Sequence, residues 1–170
     1  METKIRNAIE YQVSGRYALF SNPALRMGGE KATFPVPTYQ ALKGITEQTY
    51  WVPSIIWLVD DVRVVRPIQT ESKSVRPISY DGHPSTLSIY TYLREPLYQV
   101  RAHFIPNPFR TEPDLIADGQ NEHKHHCIAR RMVERGGRRD VFLGTRECLA
   151  YVEPCAYGEG EGYYDGSGEI

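Results

Sequence analysis

From Asn121 to Cys127 the chain reads Asn-Glu-His-Lys-His-His-Cys, and it then runs into an arginine-rich stretch, Ile128 to Asp140. Imidazole, ammonium and thiol this close together suit a metal site, a proton-transfer centre, or simply the polar start of a helix. His123 and Cys127 are four apart and would share a helical face. With Cys148 and Cys155 they offer the donor types of a tetrahedral zinc site. The spacing argues against it: no second close pair such as Cys-x-x-Cys exists, and Cys148 and Cys155 fall in or beside separate strand-like runs, where buried or solvated thiols are the simpler reading. Lys124 and His125 offer different chemistry. Adjacent residues point about 100° apart on a helix, so both reach one phosphate only at or before its first turn. The sequence puts them there, and a helix N-terminus is a ready seat for an anion. On the residues alone, a polar helix start remains the favoured account.

The elements that must position this cluster follow from periodicity. Ile9, Tyr11 and Val13 alternate with polar residues up to Ser14-Gly15 and predict a half-buried strand. A long loop containing "SNPALRMGGEK" follows. Thr38 after Pro37 predicts a capped helix with Leu42, Ile45 and Thr49 on one face, closed by Pro53. Gly44 weakens that helix and leaves room for another backbone to approach. Ser54 to Ile68 reads as one long strand, bulged at Asp60-Asp61 where the alternation shifts. Gln69 to Pro84 is polar and turn-rich. "STLSIYTYL" and "PLYQVRAHFI" alternate as two strands joined through Arg94, Glu95 and Pro96, which predicts a hairpin. After a Pro/Asn loop, His123 to Arg135 predicts a second helix with Ile128 and Met132 inward, Arg130, Arg131 and Arg135 outward, and Gly136 as its cap. "RDVFLG" and "RECLAYVEP" supply the last strands. Stripped of insertions, the order is strand, helix, strand, strand, helix, strand, the βαββαβ pattern of ferredoxin-like and RNA-recognition domains.

With 20 Lys and Arg against 21 Asp and Glu, total charge points to neither nucleic acid nor membrane. Its distribution says more. The tail "GEGEGYYDGSGEI" is acidic throughout, so the rest of the chain carries a small positive excess, with arginine concentrated in the 130s. Three cysteines without framework spacing fit a reducing compartment, with the cytoplasm as the default. The charged N-terminus does not look like a signal peptide, and the longest aliphatic run, "IIWLV", is too short to span a bilayer. Gly28-Gly29 and Gly136-Gly137 resemble loops that admit a close backbone, but without Gly-Lys-Ser/Thr neither is a P-loop.

Several long blocks together resemble a known family: "GRYALFSNP", "RMGGEKATFPVPTYQALKGITEQTYWVP", "SKSVRPI", "LSIYTYLREPLYQVRAHF", "NEHKH" with "IARRMVERGGRRDVFLGTRECLAYVEP", and "GEGEGYYD". They are similar to the CRISPR-associated protein of family five in its subtype I-C (Dvulg-type) form, from about Tyr11 to Asp165. The resemblance implies an α+β fold: a ferredoxin-like (RNA-recognition-type) core over residues 1–153 with an inserted β-hairpin. Residues 154–170 then begin a strand-rich C-terminal extension. Members usually continue well beyond the "EGYYD" block, so that extension is expected to be truncated here. The implied activity is metal-independent cleavage of CRISPR precursor RNA at the base of the repeat hairpin, without a cofactor. The protein then stays on the 5′ handle within the type I-C surveillance complex, whose other subunits are its partners. Related subtypes only cap the handle, so a non-catalytic binding subunit is the alternative.

Carried over residue by residue, the resemblance makes Tyr50, in "QTYWVP", and the Lys124-His125 pair catalytic. Such cleavage needs a base for the 2′-OH, an acid for the departing 5′-oxygen and a cation facing the phosphate. Imidazole can give or take a proton near neutrality, an ammonium stabilises charge, and a phenol donates a hydrogen bond or positions the nucleotide. Which group is acid and which is base stays open. Arg130, Arg131, Arg135, Arg138, Arg139 and Arg146 are the candidates for RNA phosphate, against the plain alternative of a solvated face. Tyr17, Phe20, Tyr90 and Tyr92 have the chemistry to stack on bases, but strand aromatics are more often core.

Overall fold

The alternating N-terminal run does form a strand, and it becomes the centre of the protein. In the computed structural model, which describes residues 7–26, 30–76, 78, 80–83 and 87–166, the elements are β1 (Ala8–Gly15), β2 (Tyr17–Ala18), β3 (Lys31–Ala32), α1 (Tyr39–Thr49), β4 (Ile55–Val64), β5 (Thr70–Val75), β6 (Ser88–Arg94), β7 (Leu97–Pro106), α2 (Pro113–Gly119), α3 (Glu122–Glu134), β8 (Val141–Phe142) and β9 (Leu149–Pro154). The Gly28-Gly29 pair lies outside the described residues.

Five strands form an antiparallel sheet in the order β4-β7-β1-β9-β8. One of its faces carries Ile9, Tyr11, Val13, Trp57, Val100 and Phe104, and these bury against α1 and α3. Each helix follows from its sequence. Thr38 accepts from Ala41 N at 3.3 Å to start α1, and Leu42 and Ile45 face the core. Tyr11 ties that helix to the sheet: the Thr46 hydroxyl is spent on Leu42 O at 3.0 Å, so the Tyr11 phenol donates to Thr46 at 2.8 Å. Asn121 caps α3 through Lys124 N, and Gly136 and Gly137 end it at φ 82° and 105°, a region that suits glycine. The inward stripe of α3 is His125, Ala129 and Val133, with Ile128 and Met132 half-buried beside it.

The bulge falls where the alternation shifts, between Val59 and Asp61. Two other expectations need correction. Residues 88–106 are not a hairpin, because β6 and β7 belong to different sheets. β6 pairs antiparallel with β5 and β2, and in parallel with β3. Glu95, at φ 47°, turns the chain from one sheet to the other beside Gly15-Arg16, where β1 gives way to β2. Glu95 N bonds Arg16 O at 2.9 Å, and Gly15 N bonds Pro96 O at 3.3 Å. The paired ribbon therefore crosses between sheets as a unit, and the inserted hairpin is β5–β6. Its first strand, Thr-Glu-Ser-Lys-Ser-Val, has only one apolar residue and so reads as loop. The second correction is α2. This helix has Pro113 at its first turn and lies within the Pro/Asn stretch where the sequence predicts loop, too short at seven residues to show a period.

The acidic tail folds back over the other face of the large sheet. Arg63 of β4 donates to Glu159 O at 3.1 Å and Gly160 O at 2.8 Å, and pairs with Asp165. Gln99 of β7 bonds Glu159 O and Gly158 N, and Tyr163 N reaches Val65 O, at 2.8 to 2.9 Å.

Gly15 is set by contact at the crossing. A Cβ there would stand 2.9 Å from Leu143 Cδ1 and 3.0 Å from Leu149 O. Replacing Gly15 with alanine is expected to destabilise the protein by about 1–3 kcal/mol, the scale of overpacking, read as a lower urea midpoint. An unchanged midpoint would show that the crossing tolerates a side chain.

Candidate active site

Tyr50, Lys124 and His125 come together, although Tyr50 is 75 residues away from His125 in sequence. α1 ends at Thr49, Tyr50 turns to extended backbone, and Trp57 Nε1 holds its carbonyl at 2.7 Å. This aims the phenol at α3, where Tyr50 Oη lies 2.8 Å from His125 Nδ1. The other ring nitrogen, Nε2, lies 2.9 Å from the backbone oxygen of Asp118. A carbonyl can only accept, so Nε2 carries a hydrogen; in the neutral ring Nδ1 accepts from the phenol. Phe104 packs edge-on against the imidazole at 5.8 Å between centroids. The side chain is 1% exposed.

Asp118 is the member that sequence reasoning missed. It sits near the end of α2, and its carboxylate accepts from Lys124 Nζ and from Ser54 Oγ, both at 2.5 Å. Gly119 makes this possible: a Cβ there would stand 2.5 Å from Ser54 O. A lone Asp-Gly in a stretch read as loop gave no signal. Its bond from Lys124, then that from Ser54, holds the Asp118 carboxyl below the usual range. Burial, and then the Asp118 charge, push the Tyr50 phenol up, with Arg138 pulling the other way. The phenol is thus a donor near neutrality rather than a ready base.

The helix start differs from a bare anion seat. Glu122 N is taken by Gln120 O at 3.1 Å and Lys124 N by the Asn121 side chain at 3.2 Å. Positive charge at the surface comes instead from Lys124, 49% exposed. Arg138 stands at the Tyr50 corner, its backbone N on Thr49 O and its guanidinium on Trp51 O. Arg130, Arg131, Arg135, Arg139 and Arg146 are exposed, and Arg130 faces Glu134 at 3.8 Å. Tyr17 and Tyr90 are half-buried and Phe20 and Tyr92 buried; Lys73 lies over the Tyr17 ring and Lys31 over that of Tyr90. His123 and Cys127 do share a face, at 3.8 Å, but Cys148 is buried beside Thr145. Among the described residues no three His, Cys, Asp or Glu side chains stand together as a metal set.

The fold and this centre define a mixed α/β protein of mainly antiparallel sheets, with a phenol–imidazole pair beside an ammonium–carboxylate pair. The profile of the CRISPR-associated protein (Cas_Cas5) family matches residues 8–170, and the chain belongs to that family. A Thermus thermophilus protein named CRISPR pre-crRNA endoribonuclease Cas5d is 28% identical over 156 residues, 86% of this chain and 63% of the relative. A protein of the same name from Mannheimia succiniciproducens is 35% identical over 66 residues, 39% of this chain and 28% of the relative. The chain therefore spans less than two thirds of either. A crystal structure of a CRISPR-associated protein superposes with a TM-score of 0.78 at 38% identity, covering 94% of this chain and 73% of that one. A functionally uncharacterized Streptococcus mutans protein gives 0.71 at 37%, covering 88% and 67%.

The Asp118 carboxyl is depressed in the folded state, so its contribution to stability is present above the unfolded carboxylate pKa, about 3.9. That contribution is lost as pH falls through the lower folded value. The stability gap between the unchanged protein and Asp118→Asn should accordingly be constant near neutrality and shrink below about pH 4, measured by urea unfolding across pH. A gap that does not change with pH would mean the charge of Asp118 is irrelevant to the fold.

Proposed function

We propose that the protein is a metal-independent endoribonuclease that cuts CRISPR precursor RNA at the base of its repeat hairpin and remains on the 5′ handle within the type I-C interference complex. The observation that carries this reading is the unbroken chain of contacts Tyr50–His125–Asp118–Lys124, opening to solvent at Lys124. The names of the relatives support it. So does the fold: in the order β4-β7-β1-β9, α1 connects β1 to β4 and α3 connects β7 to β9, which we read as a ferredoxin-like βαββαβ core over residues 1–153. Residues 154–170 begin the C-terminal extension. Among the described residues no helix is long and apolar enough to cross a membrane. Three free cysteines without framework spacing favour a reducing compartment, and on that ground we place the protein in the cytoplasm.

The chemistry is internal transesterification. The 2′-oxygen loses its proton and attacks the adjacent phosphorus, the bond to the 5′-oxygen breaks, and that oxygen takes a proton. The products are a 2′,3′-cyclic phosphate and a 5′-OH. An incoming phosphate competes with Asp118 for the Lys124 ammonium, which then faces the charge building on phosphorus. Tyr50 is the polar end of the imidazole's hydrogen-bond chain, so His125 exchanges protons through the phenol. Arg138 and the other five arginines hold phosphates.

One observation favours a second reading, a handle-binding subunit that does not cut: both nitrogens of His125 are engaged and the ring is enclosed. A labelled cognate repeat in excess EDTA, run on a sequencing gel, separates the two. Cutting should survive chelation, since the Asp118 carboxylate is spent on Lys124 and Ser54 rather than offered to a cation. A 2′-deoxy substitution immediately upstream of the cut should abolish it while binding persists. Binding without any cutting would establish the second reading.

Lys124→Ala and Tyr50→Phe should each lower the single-turnover rate by roughly 10² or more, with much smaller effects on affinity. Normal cutting by both would remove this centre from the mechanism. Arg138→Ala should weaken binding of all repeats alike and flatten the salt dependence by about one log unit, checked by titrations at several salt concentrations.

A further inference from the structure

Gly44 sits in the middle of α1, where alanine would hold a helix better. Packing does not call for glycine here, because a Cβ built at this position meets nothing within 4 Å. The bare backbone at Gly44 is one wall of a groove of about 310 Å³ between α1 and the end of β8 with the residues that follow it, lined among others by Gln40, Gly44, Gln48, Phe142 and Arg146. Two of its polar groups are short of partners. Gln48 Oε1 is shut off from solvent without a hydrogen bond, which is uncommon for a buried acceptor. The exposed Arg146 guanidinium makes no hydrogen bond or ion pair with any described residue. Phe142 adds a half-exposed apolar wall.

The position of the groove is informative. Gln48 lies two residues before Tyr50, and Arg138 stands at the same end of α1. The groove therefore leads away from the Tyr50–Lys124 centre along the helix. A cation, a carboxamide able to donate and accept, a flat apolar wall and a backbone left bare match the parts of one nucleotide: phosphate, ribose or base edge, base face, and sugar.

We infer that this groove seats one unpaired nucleotide of the RNA next to the cleavage site, its sugar over Gly44, its phosphate on Arg146, its base against Phe142 and its polar edge on the Gln48 carboxamide. The terminal torsion of glutamine is soft, so the carboxamide can turn to meet it. This rests on the RNA-cleaving reading, which gives Arg146 a phosphate but does not itself assign the groove.

Three variants of the full chain test it with a fluorescently labelled repeat RNA, alongside thermal melts. Gly44→Ala should raise the melting temperature, since alanine is the better helix former, and weaken RNA binding about threefold by narrowing the groove. Gly44→Leu, which fills the groove, and Gln48→Leu, which removes the carboxamide, should weaken binding about tenfold or more. Repeats carrying 4-thiouridine at successive unpaired positions near the cut should cross-link at one position to the peptide containing Phe142. Binding within twofold for both Gly44→Leu and Gln48→Leu, with native melts and no such cross-link, would overturn the groove assignment while leaving the cleavage reading intact. Failure of the unsubstituted protein to bind the repeat would overturn both. Should Gly44→Leu not fold, Gln48→Leu and the cross-link decide.

Discussion

Burying an imidazole is permissible only if both of its nitrogens find partners, and much of this structure is arranged to meet that demand. His125 lies on the inward face of α3, and its partners come from two other elements: the phenol at the end of α1 and a carbonyl near the end of α2. Because Phe104 packs on the ring, the central sheet is drawn into the same junction. The polar centre is thus a load on three helices at once. Around the imidazole, whose side chain is enclosed, a shift would break a hydrogen bond that solvent does not reach to replace.

The chain must bring these elements from far apart, and it does so around the β1–β7 pair. Both strands change sheets at one corner, Gly15-Arg16 against Glu95-Pro96. This is why one ribbon can serve the large sheet under the helices and the small sheet beside it. The close approach at Gly119 has a similar purpose, since it lets the end of α2 press on Ser54 and deliver both the Asp118 carbonyl and its carboxylate.

What was legible in the sequence follows from how local each cause is. The alternation of Ile9, Tyr11 and Val13, the Thr38 cap, the Asp60-Asp61 bulge and the glycine end of α3 each depend on a few neighbouring residues, and each appears where expected. β5 went unseen because its side chains are mostly polar, and α2 because seven residues do not establish a period. The separation of β6 from β7 depends on a turn at Glu95 and on partners elsewhere, so adjacent alternating runs looked like a hairpin. In the centre, Lys124 and His125 stood out by type alone, Tyr50 entered only through resemblance to a family, and Asp118 had no local mark. Its role exists only once residues 64 positions apart meet at Ser54.

Many small sheet proteins that handle single strands leave one sheet face bare as a landing platform. Here residues 157–165 already occupy that face: Arg63 and Gln99, bonded to each other, both donate to Glu159 O of the tail, and Tyr157 N is held by Glu10 at 2.9 Å. The large sheet is therefore a wall with a finished exterior rather than a dock. On the proposed RNA-processing reading, the face left for the RNA is the helical side, where Tyr50 at the end of α1 meets α3 and the arginines are exposed. On that reading, a molecule packed against the tail-covered face of the large sheet leaves the RNA's entry open.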